Sequence, residues 1–455
     1  MSLFPFPSDT IVALSTAPGR GAIAVVRLSG TGVNEIAGRL IRPWPPRSRV
    51  ATLCTVYAPT GERLDQAVVT CYERPRSFTG EDVVEIACHG GLIVSTSIVA
   101  ALLEIGARGA MPGEFTRRAL LNGKLDILQA EAVGDLVDAR SRGGQRAALN
   151  QLDGGLSRRI LALRDSLLGL EALIAYDIDF PEEDDGPVAP ERISEATDRA
   201  LAALDGLLTT VRAGELIREG ALVVIAGAPN VGKSSLFNAL LGRRRAIVTD
   251  TPGTTRDALE AVIDTESWPI RFVDTAGLRD TTDVVERLGI EVSEDYLDRA
   301  DVVLACGDNG PSLARAINVI QERTEAPVLA VRTKIDRIES GGPRLETTKG
   351  GLEVSAETGV GLGELVAAIM ATLSADQQMP DFDAPILVHT RHRRAIKQAW
   401  DELAAFREAR RDDQLPAPVA AVHLRAALHG LEELIGAVDV EDVLERVFAS
   451  FCVGK

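Results

Sequence analysis

The chain has 455 residues, 45% of them hydrophobic and 25% charged, with a formal net charge of −17. A length near three ordinary domains combined with that acidity excludes a protein that coats nucleic acid by bulk electrostatics, leaving only the short basic runs Arg117–Arg118, Arg243–Arg245 and Arg391–Arg394, each read first as a solvated face. No apolar run reaches ~18 residues, so no membrane helix is predicted, and five scattered cysteines without a C-x-x-C pair argue against a zinc knuckle or a disulfide framework.

The opening Met1–Leu14 lacks the basic stretch of a secretory signal, so a cytoplasmic protein is expected. Residues 1–121 mix short β-branched runs, Ala22–Leu28, Ala67–Tyr72 and Val83–Cys88, with Pro/Gly-rich loops at Ala17–Gly21 and Arg74–Gly80, and a helix is predicted at about 93–106. This is an α+β domain. From Leu125 the texture becomes amphipathic and helical: Leu125–Arg140, Leu156–Tyr176 and about 191–218, with an acidic break at Asp179–Pro190. The acids of Phe180–Gly186 lack the spacing of a calcium loop and read as a solvated connection. The helical texture returns in Arg393–Arg410, Val422–Ile435 and Val440–Phe451. Between the two blocks lies an α/β segment. The predicted organisation is therefore an N-terminal domain at 1–121, one helical domain split into 122–219 and 378–455, and an inserted nucleotide-binding domain at 220–377.

The inserted segment opens with the apolar strand Ala221–Ala226 and the run Gly227–Ser235 (GAPNVGKSS), followed by the helical KSSLFNALLG. Strand, glycine turn and helix together form a phosphate-binding loop. Its glycines let backbone N–H groups face phosphate oxygens, Lys233 reaches the β- and γ-phosphates, Ser234 is a Mg²⁺ ligand, and the helix start adds its dipole. Three further boxes follow at strand ends. Asp274-Thr275-Ala276-Gly277 places a carboxylate near the metal and an N–H at the γ-phosphate; Thr333-Lys334-Ile335-Asp336 offers a carboxylate to the guanine N1–H and amine; Ser355-Ala356-Glu357 fits the last base-contacting loop. Gly253-Thr254-Thr255-Arg256 lies between, where a Thr hydroxyl completes the metal shell. Four ordered boxes predict a GTPase of the Ras-like α/β type. Two departures stand out: the guanine box starts with Thr333 instead of Asn, and Leu278 follows Gly277 where a water-orienting Gln is usual.

Beyond the boxes, TAPGRGAIAVVRLSG near the N-terminus, FTGEDVVEIACHGG at 78–91, PGEFTRRALLNGKLDILQAEA at 112–132, IVTDTPGTTRD, DTAGLRDTTDVVERLG and the terminal FCVGK resemble the MnmE (TrmE) family, bacterial and organellar GTPases of tRNA wobble-uridine modification. The resemblance covers the whole chain. It implies a folate-binding and dimerising N-terminal domain, a helical domain and an inserted G domain. It also implies G domains that dimerise across their nucleotide faces when K⁺ is bound. By position, Asn230, Thr249, Thr251 and Thr254 match the potassium ligands, Ser234 and Thr255 the Mg²⁺ ligands, and Glu286 the acid that orients the attacking water indirectly, with Lys233 as the second catalytic residue. The GTP contacts carried over are Asn230, Val231, Gly232, Lys233, Ser234 and Ser235; Thr249, Asp250, Thr251, Pro252, Gly253, Thr254 and Thr255; Asp274, Thr275, Ala276 and Gly277; Thr333, Lys334 and Asp336; and Ser355, Ala356 and Glu357.

In the N-terminal domain, Arg27, Glu85 and Lys124, joined by Lys455 of the tail, match residues that bind 5-formyltetrahydrofolate. Such a carboxylate suits the paired donors of a pterin, and the cations suit a glutamate tail. Read alone, each would be an ordinary surface ion pair. The resemblance further implies a homodimer, an FAD-dependent partner (MnmG/GidA) in a heterotetramer, and tRNA held in large part through that partner. The activity implied is addition of a carboxymethylaminomethyl group at C5 of the wobble uridine, with Cys452 needed for modification and not for hydrolysis. The rival reading is a regulatory switch of the ribosome-assembly type, which shares the GTTRD and DTAG boxes. Such switches typically carry a basic RNA-binding domain, and this acidic chain shows none.

Overall fold

The computed structural model describes residues 9–179, 189–243, 259–274, 296–337, 351–375, 381–411, 417–436, 451–452 and 454. The chain divides into two compact units. Unit one holds Met1–Val137, Gln151–Leu204 and Ala395–Lys455; unit two holds Asp138–Asn150 and Asp205–Arg394.

Unit one is built on a seven-stranded sheet. Its strands are β1 (Ile11–Leu14), β2 (Ile23–Ser29), β3 (Ile41–Arg42), β4 (Thr52–Tyr57), β5 (Arg63–Tyr72), β6 (Val83–His89) and β7 (Arg108–Gly109), in the order β3-β4-β5-β6-β2-β1-β7. All pairings are antiparallel except β1 with β7. Alternation decides the faces. Val26, Leu28, Cys54, Val56, Val69, Cys71, Ile86 and Cys88 point into a core shared with Ile98 and Leu102 of helix Leu92–Glu104 and with Val33 and Ala37 of helix Val33–Leu40. On the other face Leu53, Val68, Ala87 and Val25 stand in register across four strands, with Leu53 60% exposed.

One departure from the sequence reading is electrostatic. Arg118 is not a solvated charge; it is buried, and its guanidinium meets Glu81 at 3.2 Å and Glu114 at 3.0 Å and also bonds Asp9. Arg108 joins two of these acids, Asp9 and Glu114, and Ser29 donates to Glu81 at 2.7 Å. Burial alone would raise the Asp9 and Glu114 carboxyls, but the arginine hydrogen bonds hold both below their usual values.

The helical part of unit one joins distant segments. Helix Gly155–Asp179 packs along helix Ala417–Ile435. Leu163, Leu167, Leu170 and Ile174 recur at three- and four-residue spacing and are buried, as are Leu424, Ala427, Leu431 and Leu434. Arg164–Glu432 at 2.9 Å and Arg425–Glu171 at 2.7 Å flank the seam.

Unit two carries a six-stranded sheet of β8 (Ala221–Gly227), β9 (Leu259–Ile263), β10 (Ile270–Asp274), β11 (Val302–Gly307), β12 (Val328–Arg332) and β13 (Leu352–Glu353), ordered β13-β12-β11-β8-β10-β9. Only the edge strand β9 is antiparallel. Strand β8 is buried on both sides. Val223 and Ile225 face Leu236 and Leu240 of helix Lys233–Arg243, while Leu222, Val224 and Ala226 face Ala316 and Ile320 of helix Gly310–Gln321. The latter helix starts where Asn309 caps it, its side chain accepting from the Ser312 N–H at 2.9 Å.

The single helix expected over 191–218 is two, Pro190–Leu208 and Val211–Glu219. At the break the Thr209 and Thr210 hydroxyls donate to the Gly206 and Leu207 carbonyls, and Thr210 also accepts from the Leu387 N–H. Unit two thus wraps its sheet with flanking helical pieces. Ala147, Ala213, Leu216, Ile217, Phe382 and Ile386 close over Ala221 and Trp268. The turn between β9 and β10 is gripped by helix Arg142–Leu152: the Gly143 N–H donates to Glu266 at 2.8 Å and the Ser141 hydroxyl to Ser267 at 3.0 Å. A Cβ on Gly143 would lie 2.1 Å from the Ser267 carbonyl oxygen, so only glycine fits.

Candidate functional site

The described parts of the nucleotide boxes, Gly227–Ser235, Asp274, Thr333–Asp336 and Ser355–Glu357, converge at the C-terminal end of the parallel sheet, where the strand connections reverse on either side of β8. Gly227 ends β8 opposite Cys306 of β11; its φ is +151°, and a Cβ there would sit 2.3 Å from the Cys306 carbonyl. Burial pushes the Cys306 thiol up to about 12, so it is an inert floor and not a nucleophile. Asn230 takes φ +60° at the loop tip, placing the backbone of the next residues over the helix start. Lys233 is buried, and its ammonium donates to the Gly227 and Ala228 carbonyls at 2.9 Å each. Ser234 and Ser235 are exposed in the first turn. Asp274 ends β10 beside Ile225 of β8 and is fully buried.

The guanine box is wired to the phosphate loop. The Thr333 hydroxyl donates to the Val231 carbonyl and lies 3.3 Å from the Gly307 carbonyl, while the Lys334 ammonium bonds the Asn230 carbonyl. Thr in place of Asn therefore still ties the base end to the phosphate end. Asp336 is exposed at the rim, and the Ser355 hydroxyl donates to it at 2.6 Å, lowering its pKa. The Thr358 N–H in turn holds the Ser355 oxygen at 3.1 Å. Two adjoining cavities result. One is lined by Leu236, Thr333, Asp336, Val354, Ala356 and Glu357, the other by Pro229, Asn230, Lys233 and Ser234; they share Gly232, Ser235, Lys334 and Arg337. A purine beside a carboxylate at one end and phosphates at a helix N-terminus at the other is what this groove can take. Hydroxyl and carboxylate oxygens are the hard donors Mg²⁺ prefers, and Ser234 and Asp274 supply them.

A second constellation lies on unit one. Arg27 and Glu85 are register partners on β2 and β6, and the guanidinium bonds Glu85 Oε1 at 2.8 and 2.9 Å. The Tyr72 hydroxyl donates to Oε2 at 3.4 Å, so the carboxylate is held at both oxygens. Burial first and Glu85 second raise the Tyr72 pKa, keeping it a donor. Phe115 and Phe78 lie 5.6 and 5.7 Å from the Arg27 guanidinium carbon, the first fully buried and the second 40% exposed. Lys124 donates to the Pro75 carbonyl at 3.1 Å, on the loop that carries Phe78. The chain's end arrives at the same corner. The Gly113 N–H donates to the Cys452 carbonyl at 3.3 Å, two residues before Phe115. Gly454 presses against Leu14, where a Cβ would be 2.4 Å from the carbonyl oxygen. Cys452 itself is exposed.

Residues 127–452 match the family described as the MnmE helical domain, and residues 10–124 match the GTP-binding protein TrmE N-terminus. The tRNA modification GTPase MnmE of Aquifex aeolicus is 40% identical over 453 residues, spanning 98% of this chain and 100% of that protein. The chain belongs to the MnmE family of tRNA modification GTPases. The Heliobacterium modesticaldum MnmE is 41% identical over 466 residues, with 98% and 99% covered. Among solved structures, the G domain of the T. maritima FeoB iron transporter is 30% identical over 33% of this chain, at a TM-score of 0.26.

As a member of the MnmE family the chain is a GTPase, with an N-terminal domain, a helical domain and a G domain. Of its sequence-predicted site residues, Thr249, Asp250, Thr251, Pro252, Gly253, Thr254, Thr255, Thr275, Ala276, Gly277, Glu286 and Lys455 lie outside the described residues, as does the helix expected at 440–451 up to residue 450. Sequence reasoning missed Arg337, which lines both halves of the nucleotide groove, and Tyr72, Phe78 and Phe115, which surround Arg27 and Glu85. Phe78 and Phe115 stand inside two of the family-like segments, 78–91 and 112–132, and could have been flagged there; Tyr72 carries no such mark.

Proposed function

We propose that this MnmE-family GTPase acts with an FAD-dependent flavoprotein of the MnmG/GidA type, in a heterotetramer, to install a carboxymethylaminomethyl group at C5 of the tRNA wobble uridine in the cytoplasm. The observation that carries this reading is the corner of unit one where Arg27, Glu85 and the Cys452 segment meet. A tetrahydrofolate would lay its pterin donors on Glu85 and its glutamate carboxylates toward Lys124 and Lys455, as a one-carbon donor requires. The register row Leu53, Val68, Ala87 and Val25, exposed at Leu53 and Val68 and half-buried at the other two, is an apolar face of the kind that supports homodimerisation of 1–121. The proposed domains remain 1–121, 122–219 with 378–455, and 220–377.

At the GTP site, Lys233 lies against the loop that would cradle the β- and γ-phosphates, Asp336 selects guanine, and Glu286 orients the attacking water indirectly, in place of the missing Gln at Leu278. Mg²⁺ on Ser234 and Thr255, and K⁺ on Asn230, Thr249, Thr251 and Thr254, would offset charge developing on the transferred phosphoryl group. Paired G domains complete the potassium site, coupling hydrolysis to their opening and closing.

The test is mass spectrometry of tRNA nucleosides from cells whose only copy of this chain carries Arg27→Ala. Loss of the modified wobble nucleoside, with GTP turnover retained and faster in K⁺ than in Na⁺, is expected. An unchanged nucleoside profile would refute the folate-dependent reading, and equal rates in the two salts would refute the potassium assignment.

A further inference from the structure

The corner beside Lys124 concentrates positive charge in a chain of net −17. Arg49, Arg74, Arg76 and Lys124 are all exposed, and among the described residues none of the four pairs with a carboxylate. Glu73 is the one acid between Tyr72 and Gly80, and the Asp82 carboxylate is taken by the Arg74 N–H and by Asn34.

This grouping is built by the fold. The Arg49 N–H donates to the Cys71 carbonyl at 2.8 Å, and its guanidinium donates to the Arg76 carbonyl. The Lys124 ammonium donates to the adjacent Pro75 carbonyl. Two cations from remote parts of the chain therefore converge on neighbouring peptide carbonyls. Backbone oxygens satisfy part of their hydrogen bonding and leave their charge intact. Arg74 and Arg76 add two more charges on the same turn. With Glu73 and Asp82 as the acids beside them, four cations exceed the local negative charge, and the excess like charge raises the energy of the fold unless an anion shares the site.

We propose that Arg49, Arg74, Arg76 and Lys124 form a cationic rim of the folate pocket that binds a γ-linked polyglutamate tail on the cofactor. This rests on the folate reading above. Each γ-linked glutamate adds one carboxylate to a flexible chain, and guanidinium groups meet carboxylates in forked pairs. The rim starts at Lys124, a residue assigned to the cofactor, and its Arg49 N–H bonds Cys71, the neighbour of Tyr72, which holds Glu85. A tail leaving the pocket crosses it directly. An RNA backbone would need a longer basic track than this turn provides.

The experiment is equilibrium binding of 5-formyltetrahydrofolate monoglutamate and triglutamate to the full-length protein. Two added carboxylates on exposed cations should tighten binding by about five- to tenfold at low salt, an advantage that shrinks as salt rises. Arg76→Gln keeps its carbonyl for Arg49 and should lower the triglutamate-to-monoglutamate ratio toward one. Arg49→Gln is the second variant and should do the same. Equal affinities in the wild type, or a ratio that survives both substitutions, would overturn the rim while leaving the folate site standing. Weaker tRNA binding in both variants with an intact ratio would assign the rim to RNA and overturn the proposal. No binding of either folate would remove both the rim and the folate reading.

Discussion

Thr333→Val tests the link between the guanine box and the phosphate loop with almost no change of shape. Thr333 is 3% exposed, and its one hydroxyl proton serves the Val231 carbonyl, with Gly307 as the alternative acceptor at 3.3 Å. Val fills the same volume and removes the donor, leaving a buried carbonyl inside the phosphate loop unpaired. Such a loss costs about 1–3 kcal/mol. If the loop relaxes to recover a partner, most of that cost falls on nucleotide binding, or about 5- to 150-fold in Kd. Fluorescent GDP titration reads the change directly. Thr333→Ser keeps the hydroxyl and should stay within about threefold of wild type, since a rotating hydroxyl can still reach either acceptor. A Val variant that binds as the wild type does, or a Ser variant that loses as much as Val, refutes the tether.

Asp336→Asn should weaken GTP by about a hundredfold or more and favour XTP, because an amide offers one donor where guanine needs two acceptors; competition titrations that still rank GTP first would count against the assignment. Tyr72→Phe removes one of the hydrogen bonds orienting Glu85 and should cost about fivefold in 5-formyltetrahydrofolate affinity. The same loss in a Glu85→Ala background, where no acceptor remains, would show that Tyr72 acts elsewhere. Arg118→Met leaves Asp9, Glu81 and Glu114 short of a cation and should destabilise the β1–β2–β6 region by about 3–5 kcal/mol at pH 7, read by hydrogen exchange. Asp9 and Glu114 have folded pKa values below their unfolded ones, so their contribution is present above about pH 4 and is lost as pH falls through the folded values. The gap between variant and wild type should therefore narrow in acid, and a constant gap would contradict the buried network.

The nucleotide site was legible because its parts are local. An apolar run, a glycine loop and a helix start follow one another from Ala221 to Arg243, and both observed elements lie where the residues place them. Asp274, Thr333 and Ser355 also sit at or just after the ends of strands, where the sequence reading places their boxes. Arg118 was misread because a basic pair looks the same whether it meets water or acids; its partners Asp9 and Glu81 lie 109 and 37 residues away. The break at Thr209–Thr210 has neither glycine nor proline to announce it, since the threonine hydroxyls end the helix by bonding its own carbonyls. Tyr72 became visible only when β5 and β6 paired and brought its hydroxyl to Glu85.

The grip on the β9–β10 turn bears on how the G domain could be handled in isolation. A fragment cut at 220–377 would keep every nucleotide box and still lose Ser141, Gly143, Leu216 and Phe382. Trp268 and Ala221 would then face water at the root of β8 and β10, the two strands that end in the phosphate loop and in Asp274. Five residues of strand span only about 17 Å, so slack at that root is felt directly at the nucleotide. The flanking helices serve as the frame that keeps the far end of the sheet in tension, and kinetics measured on the bare fragment would describe an unframed sheet.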